Sequence, residues 1–346
     1  MNERTAARPK RVTIDDLATA AGVSRQTVSR AINDKGEIDP STRRRILDIA
    51  RSLGYRPNRF ARAMVHQDEV TLGLLVPNIV NPYFPEVADG VLEAASALGW
   101  HVVMHRTRET LDGELRAVKL MSRQVDAFVG YLGHPEAVRE ARDSGLPFAL
   151  LDGEVLNALA PEESAVGRVE VDLESGVRQA LAHLVQLGHR RIGLLDAGGT
   201  VQPSPRGRHF EHCAREFGLS DEPGLRRPGR NSVEGGQRAM GELLDEHPGV
   251  TAVLAYNDLV ALGAVRAVRE RGLRVPEHCA VVGFDGLSVA ALVDPALTTL
   301  HIDKQRLGAE SVRLAAAALA DPGVMPERVI VRPELVVRES TGPAAV

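Results

Sequence analysis

Thr13-Ile14-Asp15-Asp16-Leu17-Ala18, followed by Ala21-Gly22-Val23-Ser24 and Arg25-Gln26-Thr27-Val28-Ser29-Arg30, is the stretch on which the reading of this chain turns. Thr13 with a carboxylate three residues on reads as a capping box, opening a helix whose apolar positions are Ile14, Leu17, Ala18 and Ala21. Gly22 supplies the freedom for a tight turn, Val23 packs between helices, and Ser24 suits the N-cap of a second helix running from Arg25 to about Asn33. On that helix Val28, Ala31 and Ile32 share the inner side, while Arg25, Gln26, Ser29 and Arg30 lie largely outward. A third helix is expected from Asp39-Pro40, an N-cap and N1 pair, to a stop at Gly54. Helix, short turn, helix with long donors at the start of the second is the pattern that presents paired hydrogen bonds to base edges in a major groove, and Arg25, Gln26 and Arg30 fit it.

Charge agrees with that reading. Residues 1–66 carry 14 Lys and Arg against 7 Asp and Glu, a net of +7, whereas the rest of the chain nets −11. A cationic head on an anionic body directs phosphate to the head, although composition alone equally allows an ordinary solvated surface.

The run Thr13 to Ala18, Ala21-Gly22-Val23-Ser24, Thr27-Val28-Ser29-Arg30, Asn33 and Leu53-Gly54-Tyr55-Arg56-Pro57-Asn58 resembles the head of the LacI/GalR transcription regulators nearly position by position. The resemblance implies that Arg25, Gln26 and Arg30 read bases and that Thr13, Ser24, Thr27, Ser29, Asn33 and Thr42 serve phosphates. It further implies a hinge helix after Pro57. There Asn58 meets phosphate, Ala61 allows close approach to the groove, and Met64 stands where the family usually has a Leu wedge for the minor groove.

From Val70 onward apolar runs of strand length alternate with amphipathic stretches: Leu72–Val76, Val102–Met104, Ala127–Val129, Phe148–Leu151, Ile192–Leu195, Ala252–Ala255 and Val281–Phe284 between helices such as Phe84–Leu98, Leu173–Leu187, Leu259–Arg271 and Asp303–Leu319. Such alternation implies parallel sheets, and the number of units implies two lobes with a cleft at the carboxyl ends of the strands. Pro77-Asn78, Asn81-Pro82-Tyr83-Phe84, Leu187-Gly188-His189-Arg190-Arg191-Ile192, Asn257-Asp258, Val282-Gly283-Phe284-Asp285 and Pro295 to Leu300 stand where the family has its markers, and beyond it the body resembles the periplasmic sugar-binding proteins.

The expected fold is therefore a small all-α helix-turn-helix head (1–56), a hinge and linker (57–69) and an α/β periplasmic-binding-protein-like body of two parallel-sheet lobes (70–346). The first lobe is placed at about 70–165 plus 301–325 and the second at about 166–300 plus 326–343. Candidate cleft residues are Asn81, Tyr83, Phe84, Asp152, Arg206, Asn257 and Asp285. Arg206 holds the family's effector-binding Arg position, and its planar guanidinium suits paired hydroxyls or a carboxylate. Asp152 and Asp285 are strand-end carboxylates able to accept from a polyol, though a turn aspartate is as much at home at Asp285. Tyr83 and Phe84 suit a sugar or base face, Phe84 also a helix start in the core, and Asp258 equally an N-cap. Gly286, where many relatives have a second Asp, and Asn231, where several have an aromatic wall, leave the effector open, as do Ile302 and Lys304.

The function implied is a sequence-specific transcriptional regulator, a repressor by family default, whose partners are pseudopalindromic double-stranded operator DNA, a sugar-like effector and a second copy of the chain. A solute-binding transport protein is the alternative that the body alone allows. With no P-loop, nucleophile elbow or metalloprotease motif, and two lone cysteines, Cys213 and Cys279, neither an enzyme, a metal site nor a cofactor is expected. Met1–Lys10 has no apolar core and no stretch approaches a membrane span, so a cytoplasmic, nucleoid-associated protein is expected.

Overall fold

The structure is a computed structural model that describes residues 14–32, 38–53, 70–161, 163–197, 199, 202–219, 222, 224–321 and 323–344. The chain divides into two compact units, 1–69 and 70–346.

In the first unit α1 (Ile14–Ala21), α2 (Arg25–Ile32) and α3 (Pro40–Ser52) enclose a small core of Leu17, Ala21, Val28, Ala31, Ile46 and Ala50. The caps expected at Ser24 and Asp39 form. Ser24 Oγ accepts the Thr27 N–H at 3.1 Å, and Asp39 Oδ1 accepts the N–H groups of Ser41 and Thr42 at 3.0 and 3.1 Å. The hydrogen bonds to Asp39 hold its carboxyl below the usual range, the Ser41 hydroxyl foremost. Arg45 and Arg43 each bond a carbonyl near the end of a preceding helix, Ala21 O at 3.3 Å and Ala31 O at 3.2 Å, so α3 satisfies groups that α1 and α2 leave open.

The second unit holds two six-stranded sheets. The first has the order β11-β5-β4-β3-β1-β2, with β1 Thr71–Val76, β2 His101–Arg106, β3 Ala127–Gly130, β4 Phe148–Leu151, β5 Gly167–Val171 and β11 Arg328–Val331, all parallel. The second has the order β12-β10-β9-β8-β6-β7, with β6 Ile192–Asp196, β7 Arg226–Pro228, β8 Ala252–Ala255, β9 Ala280–Asp285, β10 Thr298–His301 and β12 Glu334–Val336. Only β12 runs antiparallel to its neighbour, at the sheet edge.

Period-two alternation of fully apolar strands assigns each residue to a face. Leu72, Leu74, Val76 and Val129 pack under α4 (Tyr83–Ala97) and α11 (Lys304–Ala320), while Leu75, Phe128 and Leu150 pack under α5 (Leu111–Met121) and α6 (Pro135–Asp143). Likewise Ile192, Leu194, Leu254 and Phe284 meet α7 (Leu173–Gln186) and α8 (Pro205–Glu216), and Leu195, Val253 and Val281 meet α9 (Val233–Glu246) and α10 (Asp258–Glu270).

The expected lobe boundaries need correction. Gly167–Val171 and Arg328–Val331, both placed in the second lobe from sequence, pair with each other at the far edge of the first sheet. A charged trio holds that edge: Glu170 accepts from Arg168 Nε at 2.7 Å and from Arg328 Nε at 2.6 Å. The chain thus crosses between lobes after β5, after β10 and between β11 and β12. Among the described residues no helix is long and apolar enough to cross a membrane.

Candidate effector cleft and nucleic-acid interface

Strand ends of both sheets open onto one cavity of about 400 Å³. All seven cleft candidates named from sequence line it: Asn81, Tyr83, Phe84, Asp152, Arg206, Asn257 and Asp285.

Arg206 is delivered by a helix start. Ser204 Oγ accepts the Gly207 N–H at 3.0 Å, Pro205 takes the first helical position, and buried Asp196 at the end of β6 accepts the Ser204 N–H at 3.0 Å. The guanidinium then lies between the rings of Tyr256 and Phe284, 4.5 and 4.2 Å from their centroids. It donates to the Tyr256 carbonyl and, at 3.0 Å, to Asp285 Oδ1. Burial pushes the Asp285 carboxyl up, against the pull of Arg206 and Lys304. Asp152 and Asp285 both sit in the left-handed region, at φ 88° and 102°, a conformation that costs a non-glycine residue on the order of 1–3 kcal/mol and concentrates at ligand sites. Although Asp152 is exposed on the cleft wall, the protein crowding around it pushes its carboxyl up, opposed by the Glu154 N–H that it accepts at 3.0 Å.

The first-lobe wall is aromatic. Phe84 packs edge-on against Tyr83 and Tyr131 with centroids 5.3 and 5.2 Å apart, and burial pushes both tyrosine hydroxyls well above their usual range. Asn81 spends its carbonyl oxygen on the Tyr83 N–H at 3.0 Å, fixing the turn that aims this helix start.

At Asn257-Asp258 the cap falls to Asn257, whose Oδ1 accepts the Val260 N–H at 3.1 Å while Nδ2 donates to Asn231 at 2.6 Å. Asp258 is instead wholly buried, accepting from Leu287 N at 2.6 Å and from Thr299 Oγ1 at 2.5 Å. The Val-Gly-Phe-Asp motif acquires a packing reason here: a Cβ on Gly283 would stand 2.2 Å from Asp258 Oδ1. Gly286 has φ 64°, and a Cβ there would stand 2.5 Å from His301 Cα, so this turn has no room for a second aspartate.

Burial, reinforced by Asp285, lifts the Asp258 carboxyl to about 7. Between pH 4 and 7 the folded chain therefore holds a proton that the unfolded chain has released. The cost of the charged form is fully present above pH 7 and is relieved as pH falls, an effect of roughly 4 kcal/mol at most. Asp258→Asn is expected to flatten this slope, gaining on the parent protein at pH 8 and losing the advantage at pH 5 in urea unfolding. A stability difference independent of pH would refute the assignment.

Asn231, named from sequence as a departure from the family, also lines the cavity, but several other lining residues were not singled out from sequence. Tyr131 and Tyr256 each directly follow a recognised strand, β3 and β8, so the strand-end rule applied to Asp152 would have found them. Glu109, Glu114 and His134 carry no comparable signal; Glu114 is a buried carboxylate accepting the Gly133 N–H at 3.0 Å and the His134 N–H at 3.1 Å. Ile302 and Lys304 do not line the cavity: Ile302 is core, and buried Lys304 lies behind it.

On the head, Gln26, Thr27, Arg30 and Thr42 line one shallow groove with Ile38 and Asp39, next to the exposed Arg25. Ser24 is engaged at the cap, and Ser29 is half-buried on the same helix. Thr13, Asn33, Asn58, Ala61 and Met64 lie outside the described residues.

Fold and sites define a class: a helix-turn-helix head joined to a two-lobed receptor with a ligand-sized cleft. Residues 13–58 match the bacterial regulatory proteins of the lacI family, and residues 181–341 match the periplasmic binding protein-like domain. The HTH-type transcriptional regulator DegA of Bacillus subtilis is 32% identical over 340 residues, spanning 96% of this chain and 99% of DegA. Among solved structures, a complex of the transcriptional regulator CelR with cellobiose superposes with a TM-score of 0.71 at 30% identity, covering 95% of this chain and 100% of that one. The lac repressor dimer bound to operator and an anti-inducer gives a TM-score of 0.74 at 27% identity, covering 96% and 100%. This chain belongs to the LacI family of DNA-binding transcriptional regulators. The head distinguishes it from a transport protein built on the body alone, and its full-length relatives are regulators rather than enzymes.

Proposed function

We propose that the chain is a cytoplasmic, nucleoid-associated repressor that binds a pseudopalindromic operator as a homodimer and releases or grips it according to a sugar or sugar derivative held between the lobes. The observation that carries the sugar reading is the arrangement around Arg206: a fixed planar donor and the strand-end carboxylates Asp152 and Asp285, with Tyr83, Phe84, Tyr131 and Tyr256 around the same cavity. Hydroxyls need both donors and acceptors, and a sugar's C–H face needs an aromatic surface. Cellobiose in the CelR complex is consistent with such chemistry. An effector changes operator affinity only by its differential affinity for the two lobe arrangements, and the operator changes effector affinity by the same factor.

Thermal unfolding of the full chain against sugars, sugar phosphates and purines tests this. A sugar is expected to raise the midpoint by mass action, and a purine response alone would overturn it.

For the head, Arg25, Gln26 and Arg30 read bases while Thr13, Ser24, Thr27, Ser29, Asn33 and Thr42 serve phosphates. Asn58, Ala61 and Met64 act in the hinge. Arg30→Ala is expected to weaken binding to an operator selected from random duplexes by roughly 1–3 kcal/mol and to relax preference at one position. Equal loss on operator and random duplex would remove the base-reading role.

A further inference from the structure

We propose that the cleft selects its occupant by charge: it takes a neutral or amine-bearing sugar and excludes phosphorylated sugars and sugar acids, with Asp152 as the discriminating residue. This rests on the sugar reading above and narrows it.

Among the described lining residues, the carboxylates Glu109, Glu114, Asp152 and Asp285 face a single guanidinium, Arg206, and the imidazole of His134. Arg206 is already committed. It is ion-paired with Asp285 at 3.0 Å, bonded to the Tyr256 carbonyl and enclosed by two rings, its side chain only 14% exposed. Glu114 is satisfied within its own wall by the Gly133 and His134 N–H groups, with His134 Nδ1 3.1 Å away. Neither Glu109 nor Asp152 has an ion-pair partner among the described residues, although the Arg206 charge still pulls on the Asp152 carboxyl from across the cleft. Glu109 receives a neutral donor, Asn78 Nδ2, at 2.7 Å, and Asp152 Oδ1 receives the Glu154 N–H, while its second oxygen accepts no hydrogen bond among the described residues.

A phosphate or carboxylate seated here would face two carboxylates that have no ion-pair partner among the described residues, with the one guanidinium held by a third. Like charges brought together when a bound ligand displaces water from the cleft repel more strongly than in bulk solvent. Hydroxyl groups and ammonium groups meet the opposite situation, since both bring hydrogens to an acceptor that lacks a donor. Tyr83 and Tyr131 add ring surface that a cation favours. The strained backbone at Asp152 fits a carboxylate retained for a ligand. Because crowding raises its carboxyl, affinity for an amino sugar should increase with pH as Asp152 loses its proton.

The test uses the full chain, thermal unfolding and calorimetry with matched sets: glucose, galactose, cellobiose and lactose, the corresponding amino sugars, the 6-phosphates and the uronic acids. A neutral or amino member that binds at least 100-fold more tightly than its phosphate, with the gap reduced at least tenfold in Asp152→Asn, supports the proposal. Glu109→Gln, on an exposed residue, should reduce the gap in the same direction and serves if Asp152→Asn fails to fold. A phosphate or uronate that binds as tightly as its neutral partner overturns the charge selection and leaves the sugar reading standing. A gap unchanged in both variants overturns the role of these carboxylates. If no member of any set stabilises the chain, the sugar reading fails and this inference with it.

Discussion

Arg206→Ala is expected to destabilise the body by roughly 3–5 kcal/mol at neutral pH, because it removes the ion-pair partner of a buried carboxylate and leaves it only the Asn257 side chain and the Lys304 charge. The Asp285 side chain is 4% exposed, and Arg206 is its only ion-pair partner among the described side chains. The substitution also empties the slot between Tyr256 and Phe284. The pH dependence separates the two effects. Burial already raises the Asp285 carboxyl, and losing Arg206 raises it further. The electrostatic part of the deficit is then full above the new titration point and shrinks as pH falls and Asp285 takes up a proton, whereas the packing part does not change. Urea unfolding at pH 8 and pH 5 measures both, and adding Asp285→Asn should recover much of the loss at pH 8. A deficit below 1 kcal/mol, or one of equal size at both pH values, would contradict the pairing.

Lys304→Met is expected to cost about 3 kcal/mol although the side-chain stem is preserved. The side chain is 5% exposed, and its ammonium donates to three carbonyls, Asp285 O at 2.7 Å, Gly286 O at 3.1 Å and Ile302 O at 3.2 Å, with Glu86 Oε2 at 3.2 Å. Glu86 also accepts from the Ser288 hydroxyl at 3.2 Å. Lys304 and Glu86 begin helices of the first lobe, whereas Asp285, Gly286 and Ser288 end and follow β9 in the second. Removing the charge leaves several polar groups short of a partner between the lobes at once. The midpoint in urea should fall with its slope unchanged, and Glu86→Gln added to Lys304→Met should restore part of the loss. Unaltered stability would show that water replaces the ammonium without cost. The same bonds place Lys304 directly behind the Arg206–Asp285 pair, which sequence comparison of cleft residues had no means of seeing.

Local signals made the head and the inner strands legible. Capping at Ser24 and Asp39, the turn at Gly22 and the inward placement of Val28 and Ala31 involve residues within a few positions of one another. β1, β3, β4, β6, β8 and β9 are buried on both faces and so read as continuous apolar runs, and their carboxyl ends mark Asp152, Arg206 and Asp285 as neighbours in space. β5, β7, β10, β11 and β12 passed unrecognised: all lie at or beside sheet edges, and polar or charged residues such as Arg168, Glu170, Arg226 and Thr299 break the apolar run.

The sequence by itself therefore determined the helix-turn-helix head and the alternating βα body, since short-range capping and strand-period burial are written in consecutive residues, and its resemblance to the family, together with the strand-end rule, picked out the seven residues that share one cavity. Only the tertiary structure decided that β5 and β11 close the first sheet, that Asn257 rather than Asp258 caps its helix, that Arg206 is already bound by Asp285, and that Lys304 joins the lobes. Each of these depends on which distant groups are left to satisfy one another once water is excluded, and that is settled by packing rather than by any local pattern.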